Sequence, residues 1–290
     1  PEVTDRVLAA GAEATRCGVP GFLGLHLEGP HLAMSRKGAH DPALIRPMDE
    51  ADLVRLERAR PLLPNLMVTV APEVVTPEQI ARMARAGIFV SIGHSDASFA
   101  TATAAIAAGA RNATHLFNAM SQMGNREPGL AGAALHHGAL HAGVIADGIH
   151  IHPATLGAAL RAKTGPGRLY LVSDSMSQAG TDATSFLLNG RTIHRRDGAL
   201  RLDDGTLAGA DLTMDTAVRY LTGSLGLTLE EALRMATLYP AEAIGAADIG
   251  RLTVGARADF VLLDTALNVA GTWIGGQRVG VDPATGRQFL

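Results

Sequence analysis

Short apolar runs, each stopped by a polar group and each followed by an amphipathic stretch, dominate the first 175 residues of the chain. Residues 21–27 run into Glu28-Gly29-Pro30, and residues 66–70 into Ala71-Pro72-Glu73. Residues 88–92 reach Gly93-His94, and a short stretch that is not apolar, Arg111-Asn112-Ala113, reads as a strand that reaches Thr114-His115. Residues 140–146 lead to Asp147-Gly148-Ile149-His150, and residues 169–172 to Ser173-Asp174. Runs of this length without polar alternation predict strands buried on both faces.

The intervening stretches predict helices at 4–17, 50–60, 76–86, 97–108, within 118–137, and at 153–163. Thr4 or Asp5 would cap the first and Ser95-Asp96 the fourth, while Thr76-Pro77-Glu78-Gln79 has the residues of a capping box with Pro at the first helical position. Beyond Asp174 the pattern changes. Residues 186–207 alternate and turn at Asn189-Gly190, Asp197-Gly198 and Asp204-Gly205, which is hairpin chemistry. Helices are expected at 211–222 and 229–238, the latter with a Thr228/Glu231 capping box, and strands return at 259–264 and 268–279.

Strand–helix alternation implies a parallel sheet, and a sheet whose polar residues all fall at strand C-termini suggests an α/β fold of the (β/α)8-barrel type. Closure needs eight strands and six are readable, so two are expected to be missing ahead of Pro1. The expected division is an incomplete barrel over residues 1–248 and a small β module over 249–290. The lack of an initiating Met agrees with a fragment.

Composition narrows the picture. The chain has 290 residues, 47% hydrophobic but only 4% aromatic, with 33 glycines, which suits an aliphatic α/β core with many tight turns. A formal charge of −3 with scattered basic residues gives no case for nucleic acid. Cys17 is the single cysteine, so no intrachain disulfide can form and a reducing compartment, the cytoplasm, is expected. No apolar stretch is long enough to span a membrane and no signal-peptide pattern is visible.

Four strand-end groups carry candidate chemistry: Glu28, His94, His115 and Asp174. Their separations match no local metal motif, but a barrel aims equivalent strand ends at one central space. Two imidazoles and a carboxylate can hold one divalent ion; zinc fits best on ligand type, with iron or another first-row metal as alternatives. Such an ion would acidify a water, and Asp174 could take that proton and return it to a leaving amine. His26, two residues before Glu28, is a further ligand or a partner behind it.

Read in order, several segments carry a resemblance. They are Gly24-Leu25-His26-Leu27-Glu28-Gly29-Pro30, Ala71-Pro72-Glu73, Gly93-His94-Ser95, Thr114-His115-Leu116-Phe117-Asn118-Ala119-Met120, Arg126-Glu127-Pro128-Gly129, Asp147-Gly148-Ile149-His150, Ser173-Asp174 and Leu207-Ala208-Gly209. The set resembles the N-acetylglucosamine-6-phosphate deacetylases of the amidohydrolase superfamily, from about residue 20 to residue 280.

The resemblance implies Glu28, His94 and His115 as metal ligands, Asp174 as general acid/base, and His40 as a catalytic group polarising the acetamide. It implies that Ala39, Asn118, Ala119 and Arg126 hold the substrate and its phosphate, that His150 contacts the sugar, and that Leu207, Ala208 and Gly209 line the pocket. It also implies a homodimer in which Arg126 reaches the neighbouring site. Without it, Arg126 reads as a solvated loop charge and His40 as a turn residue. The family's opening His-x-His strand has no counterpart here, so at most a one-metal centre is expected, and Ala210 stands where the family often has Ser. The activity implied is hydrolysis of the N-acetyl group of N-acetylglucosamine 6-phosphate. The alternatives are another N-acetylated sugar phosphate, a cyclic amide, or an inactive ligand-binding fragment.

Overall fold

The computed structural model describes residues 2–279. Its central feature is a curled parallel sheet of six strands in sequential order: β1 (Leu25–Glu28), β2 (Leu66–Val70), β3 (Phe89–Ile92), β4 (Asn112–Ala113), β5 (His141–Val144) and β6 (Leu169–Leu171). Every neighbouring pair is parallel, and the register aligns Glu28 with Thr69, Thr69 with Ser91 and Ser91 with Asn112. Consecutive order with helical crossovers makes every strand point the same way, so the polar residues that end them gather on one rim.

The helices are α1 (Glu2–Arg16), α2 (Glu50–Ala59), α3 (Pro77–Arg85), α4 (Phe99–Ala107), α5 (Gly129–His136), α6 (Pro153–Ala162), α7 (Met214–Leu225), α8 (Leu229–Ala236) and α9 (Leu238–Ala243). Leu53 and Leu56 of α2, Ile80 and Met83 of α3, and Ala102 and Ala105 of α4 bury against Val68, Val70, Val90 and Ile92 in one continuous core. Among the described residues, no helix is long and apolar enough to cross a membrane.

The capping box of α3 forms as expected: Gln79 N–H donates to Thr76 Oγ1 at 3.3 Å, and Thr76 N–H to Gln79 Oε1 at 2.9 Å. Elsewhere tertiary partners override local signals. Helix α4 is capped by Ser98, not by Ser95-Asp96, because Ser95 Oγ donates to Glu73 Oε2 at 2.6 Å. The Thr228 cap of α8 forms, but Glu231 turns away to accept from Tyr239 Oη at 2.9 Å, so only half of that box exists. Helix α1 begins at Glu2, ahead of the expected cap, and Asp5 instead meets Arg55 of α2 at 2.7 Å. Strand β1 is shorter than its apolar run. Gly24 has φ 131°, and any side chain there would strike the Asn65 carbonyl, so the chain enters the sheet only at Leu25.

The hairpin segment forms a four-stranded antiparallel sheet, ordered β10 (Leu207–Ala210), β9 (Ala199–Arg201), β8 (Arg191–Arg196), β7 (Ser185–Leu188). Asn189-Gly190 and Asp197-Gly198 take the paired positive φ values of tight hairpin turns. A separate three-stranded sheet follows, β11 (Phe260–Leu263), β12 (Val269–Ile274) and β13 (Gln277–Arg278), where Phe260 stacks on Trp273 with ring centroids 4.8 Å apart. Residues 280–290 of the expected C-terminal module lie outside the described residues.

Candidate metal centre

Glu28 ends β1, and His94 and His115 lie just beyond the ends of β3 and β4. Glu28 Oε1 lies 3.3 Å from His94 Nε2 and 3.1 Å from His115 Nε2, and the two Nε2 atoms are 3.1 Å apart. Each ring is held from behind by a backbone carbonyl: His94 Nδ1 is 2.7 Å from Arg36 O, and His115 Nδ1 is 3.1 Å from Asn118 O. A carbonyl only accepts, so both Nδ1 atoms carry the proton and, in the neutral rings, both Nε2 atoms present lone pairs to the carboxylate.

Glu28 Oε1 is itself sealed from solvent without an ordinary hydrogen bond. Three electron-pair donors facing one another, two with fixed tautomers, are the arrangement a divalent cation fits. The electrostatics of the cluster make the same demand for positive charge. Burial works against protonation of His115, yet the Glu28 carboxylate outweighs it and holds the ring up at about 9. Against the burial that would raise it, the two imidazoles hold Glu28 well below the usual carboxylate range.

Asp174, after β6, is the fourth strand-end group. Burial pushes its carboxyl above the ordinary value, with His115 pulling the other way and Glu28 reinforcing the rise. His94, His115 and Asp174 all adopt left-handed backbone, with φ of 46°, 30° and 47°. Strain of this kind gathers where a side chain must be aimed rather than merely accommodated.

The remaining expected residues fall at several distances from this core. His40 sits edge-on to His94, ring centroids 4.8 Å apart, and burial followed by the His94 charge lowers its pKa. Its loop is tied down by Arg191 of β8, which donates to the Ala39 carbonyl. The Leu207-Ala208-Gly209 segment is strand β10 and reaches Asp174 through its next residue, Ala210, whose N–H donates to Asp174 O at 2.7 Å. Gly209 has φ 129°, and a Cβ there would come within 3.0 Å of that same carbonyl, so only glycine lets the strand approach.

Asn118 and Ala119 lie three and four residues after His115; Asn118 Nδ2 donates to Leu116 O at 3.3 Å, and Ser95 N–H donates to Ala119 O at 3.1 Å. Arg126 is exposed on the loop before α5 and is not among the groups that meet at the centre. His26 is not in the ligand set either. Its Nε2 is 2.7 Å from Thr69 Oγ1, which continues through Thr114 Oγ1 to Ser91 Oγ in a chain of hydroxyls, each step 2.6 Å.

Two partners carried no weight in the sequence. Asp147 lies 2.6 Å from His150 Nδ1, and Glu73 holds the turn after His94 through Ser95 and the Asp96 N–H. Both belong to segments that attracted notice for other reasons. An acid three residues before a histidine across a glycine turn was the readable hint for the first.

The chain is similar to known proteins along most of its length. The sequence model described as "Amidohydrolase family" matches residues 3–279. An N-acetylgalactosamine-6-phosphate deacetylase from Shewanella sp. is 44% identical over 276 residues, covering 95% of this chain and 69% of that protein. An N-acetylglucosamine-6-phosphate deacetylase from Danio rerio is 38% identical over 268 residues, 89% of this chain and 66% of that protein. Among solved structures, N-acetylglucosamine-6-phosphate deacetylase from Pasteurella multocida superposes with a TM-score of 0.91 at 34% identity, over 96% of this chain and 72% of that one. A mutant of the Mycobacterium smegmatis enzyme in complex with N-acetyl-D-glucosamine-6-phosphate gives 0.86 at 35% identity, over 94% and 72%. The chain therefore spans about two thirds of the length of these curated relatives.

Proposed function

The chain belongs to the amidohydrolase family, whose members depend on metal, and on that premise we propose that it hydrolyses the N-acetyl group of a hexosamine 6-phosphate, N-acetylglucosamine 6-phosphate or its galacto epimer. The observation that carries this reading is the Glu28–His94–His115 cluster, with Asp174 just beyond the end of β6 on the same sheet. The galacto reading is favoured by the Shewanella relative, the gluco reading by the solved structures. We read the six-stranded sheet as six strands of a (β/α)8-type barrel over residues 1–248, with a β module beyond.

In this reading Glu28, His94 and His115 hold one divalent ion, zinc by ligand type. When bound, that ion supplies Lewis acidity to the amide carbonyl and to the attacking water. Asp174 accepts a proton from the water as its oxygen bonds the carbonyl carbon, then delivers it to the nitrogen as the C–N bond breaks, leaving acetate and the amine. His40, beside His94, faces the developing oxyanion; its Nδ1–H donates to Lys37 O at 3.0 Å, so it stabilises that charge from Nε2 only as the imidazolium.

His150 contacts the sugar, and Ala39, Leu207, Ala208 and Gly209 line the pocket. Asn118, the Ala119 backbone and Arg126 hold the phosphate, Arg126 as a forked donor. Its exposure supports delivery into the site of a second copy, hence a homodimer. The single exposed cysteine supports the cytoplasm as the working compartment.

The test is acetate release from both hexosamine 6-phosphate epimers and from the unphosphorylated sugars, with zinc added or chelated. Release that needs metal and phosphate is expected. Folded, metal-loaded protein that releases no acetate from any of them would sink the proposal.

A further inference from the structure

The turn after β5 holds an arrangement that the proposed chemistry has not used. Ile145 and Ala146 bury completely and bring Asp147 to the sheet rim. Gly148 then turns with φ 75°, and a Cβ there would lie 2.9 Å from Tyr220 Oη, so the turn has one shape. Asp147 Oδ1 accepts the N–H groups of Ile149 at 2.9 Å and His150 at 2.8 Å. Its other oxygen, Oδ2, lies 2.6 Å from His150 Nδ1. The two side chains are only 6% and 4% exposed. The turn leaves β5 at the same end at which Asp174 leaves β6, its parallel neighbour.

A turn of this kind needs only one side-chain oxygen to collect the two backbone donors. The second oxygen is free for a separate task, and its partner is an imidazole nitrogen that must carry a proton to meet a carboxylate. We propose that Asp147 is a positioning residue, which locks His150 as the Nδ1–H tautomer and so presents Nε2 to the sugar as a hydrogen-bond acceptor. This rests on the reading that His150 contacts the substrate. It deepens that reading by specifying the group recognised, a hydroxyl that donates to the ring.

Asp147→Asn separates the two tasks. Asn keeps an oxygen for the Ile149 and His150 N–H groups but turns an NH2 toward Nδ1. The ring then answers with the opposite tautomer, Nε2–H, which donates where the sugar hydroxyl also donates.

The experiment uses the full metal-loaded chain with 15N-labelled histidine rings. Long-range 1H–15N correlation reads the tautomer of His150, whose signals are identified by their loss in His150→Gln. The expected result is Nδ1–H in the parent and Nε2–H in Asp147→Asn. With it, kcat/KM for the better hexosamine phosphate should fall about 10- to 100-fold, by analogy with losing the carboxylate behind a metal-bound histidine. In the His150→Gln background the Asp147→Asn change should add less than about twofold, since one residue acts through the other.

An Nε2–H ring in the parent overturns the inference even if Asp147→Asn fails to fold. So does an unchanged kcat/KM in a folded variant, or losses that multiply in the double variant. Absence of deacetylation by the parent would overturn the functional reading instead, and the tautomer measurement would still decide this one.

Discussion

Asp174→Asn is the change that tests the proposed proton transfer most directly, and the structure explains why it is a clean perturbation. Asp174 sits at φ 47°, a backbone region that Asn and Asp enter far more readily than most residues. Asn therefore keeps the turn, and the Asp174 carbonyl keeps the 2.7 Å hydrogen bond from Ala210 N–H that docks strand β10. Alanine would confound the result, because left-handed backbone costs an ordinary L-residue about 1–2 kcal/mol.

What Asn lacks is the capacity to accept a proton. A positioned general acid/base contributes roughly 10²- to 10⁴-fold, so the barrier should rise by about 3–5 kcal/mol. The assay is acetate release at saturating and at low substrate, run beside metal content and a melting curve. The expected pattern is a collapse of kcat with metal content and melting temperature unchanged. A rate within about tenfold of the parent would refute the assignment of Asp174 as the proton carrier, since it falls short of the smallest effect expected of such a group. Loss of metal together with rate would refute it differently, by making Asp174 a ligand.

Two further changes probe the parts around it. Glu28→Gln removes the one negative charge among the proposed ligands, so metal measured after dialysis should drop well below the parent while the helical signal is kept; full metal retention would remove Glu28 from the ligand set. Asp52, buried in α2, binds Arg46 at 2.6 Å and Arg55 at 3.0 Å and faces His31 at 3.6 Å, which staples the loop after β1 onto the helix layer. Burial would raise its pKa, but Arg46 above all outweighs that and holds it well below the carboxylate range. A depressed carboxylate gives stability that is present above its unfolded value, about 3.9, and is lost as pH falls toward the folded one. Asp52→Asn should therefore cost about 3 kcal/mol at pH 7, the low end for a broken buried pair because both arginines reach solvent, and should flatten the acid limb of denaturant stability. An acid limb as steep as the parent's would show that other carboxylates carry it.

The sheet was readable because parallel strands buried on both faces leave apolar runs, and β2 and β3 sit where those runs are. Local rules failed where a distant side chain offered a better partner, as Glu73 does to Ser95 and Tyr239 to Glu231. The strand-end residues were readable for a topological reason: in a parallel sheet of consecutive strands, equivalent ends meet. What holds them was not. Arg36 O and Asn118 O fix the two tautomers, and a backbone carbonyl has no signature in a sequence because every residue has one.

The left-handed turns at His94, His115 and Asp174 belong to that hidden part, and they say why it stays hidden. A chain leaving a strand must bend sharply to aim a side chain across the rim, and glycine is the residue that does so without cost. Glycine has no imidazole or carboxylate to aim. At these three positions the chemistry fixes the residue type, so the strain of about 1–3 kcal/mol at each must be held by surrounding contacts, such as Ala33 N–H on His94 O, Asn118 N–H on His115 O and Ala210 N–H on Asp174 O. Those three hydrogen bonds come from the loop after β1, the loop after β4 and strand β10. The two histidine contacts are therefore part of the proposed metal site as much as the ligands are, and the third serves the proposed proton carrier in the same way. Weakening any of them should loosen the aim of a side chain without touching its chemistry.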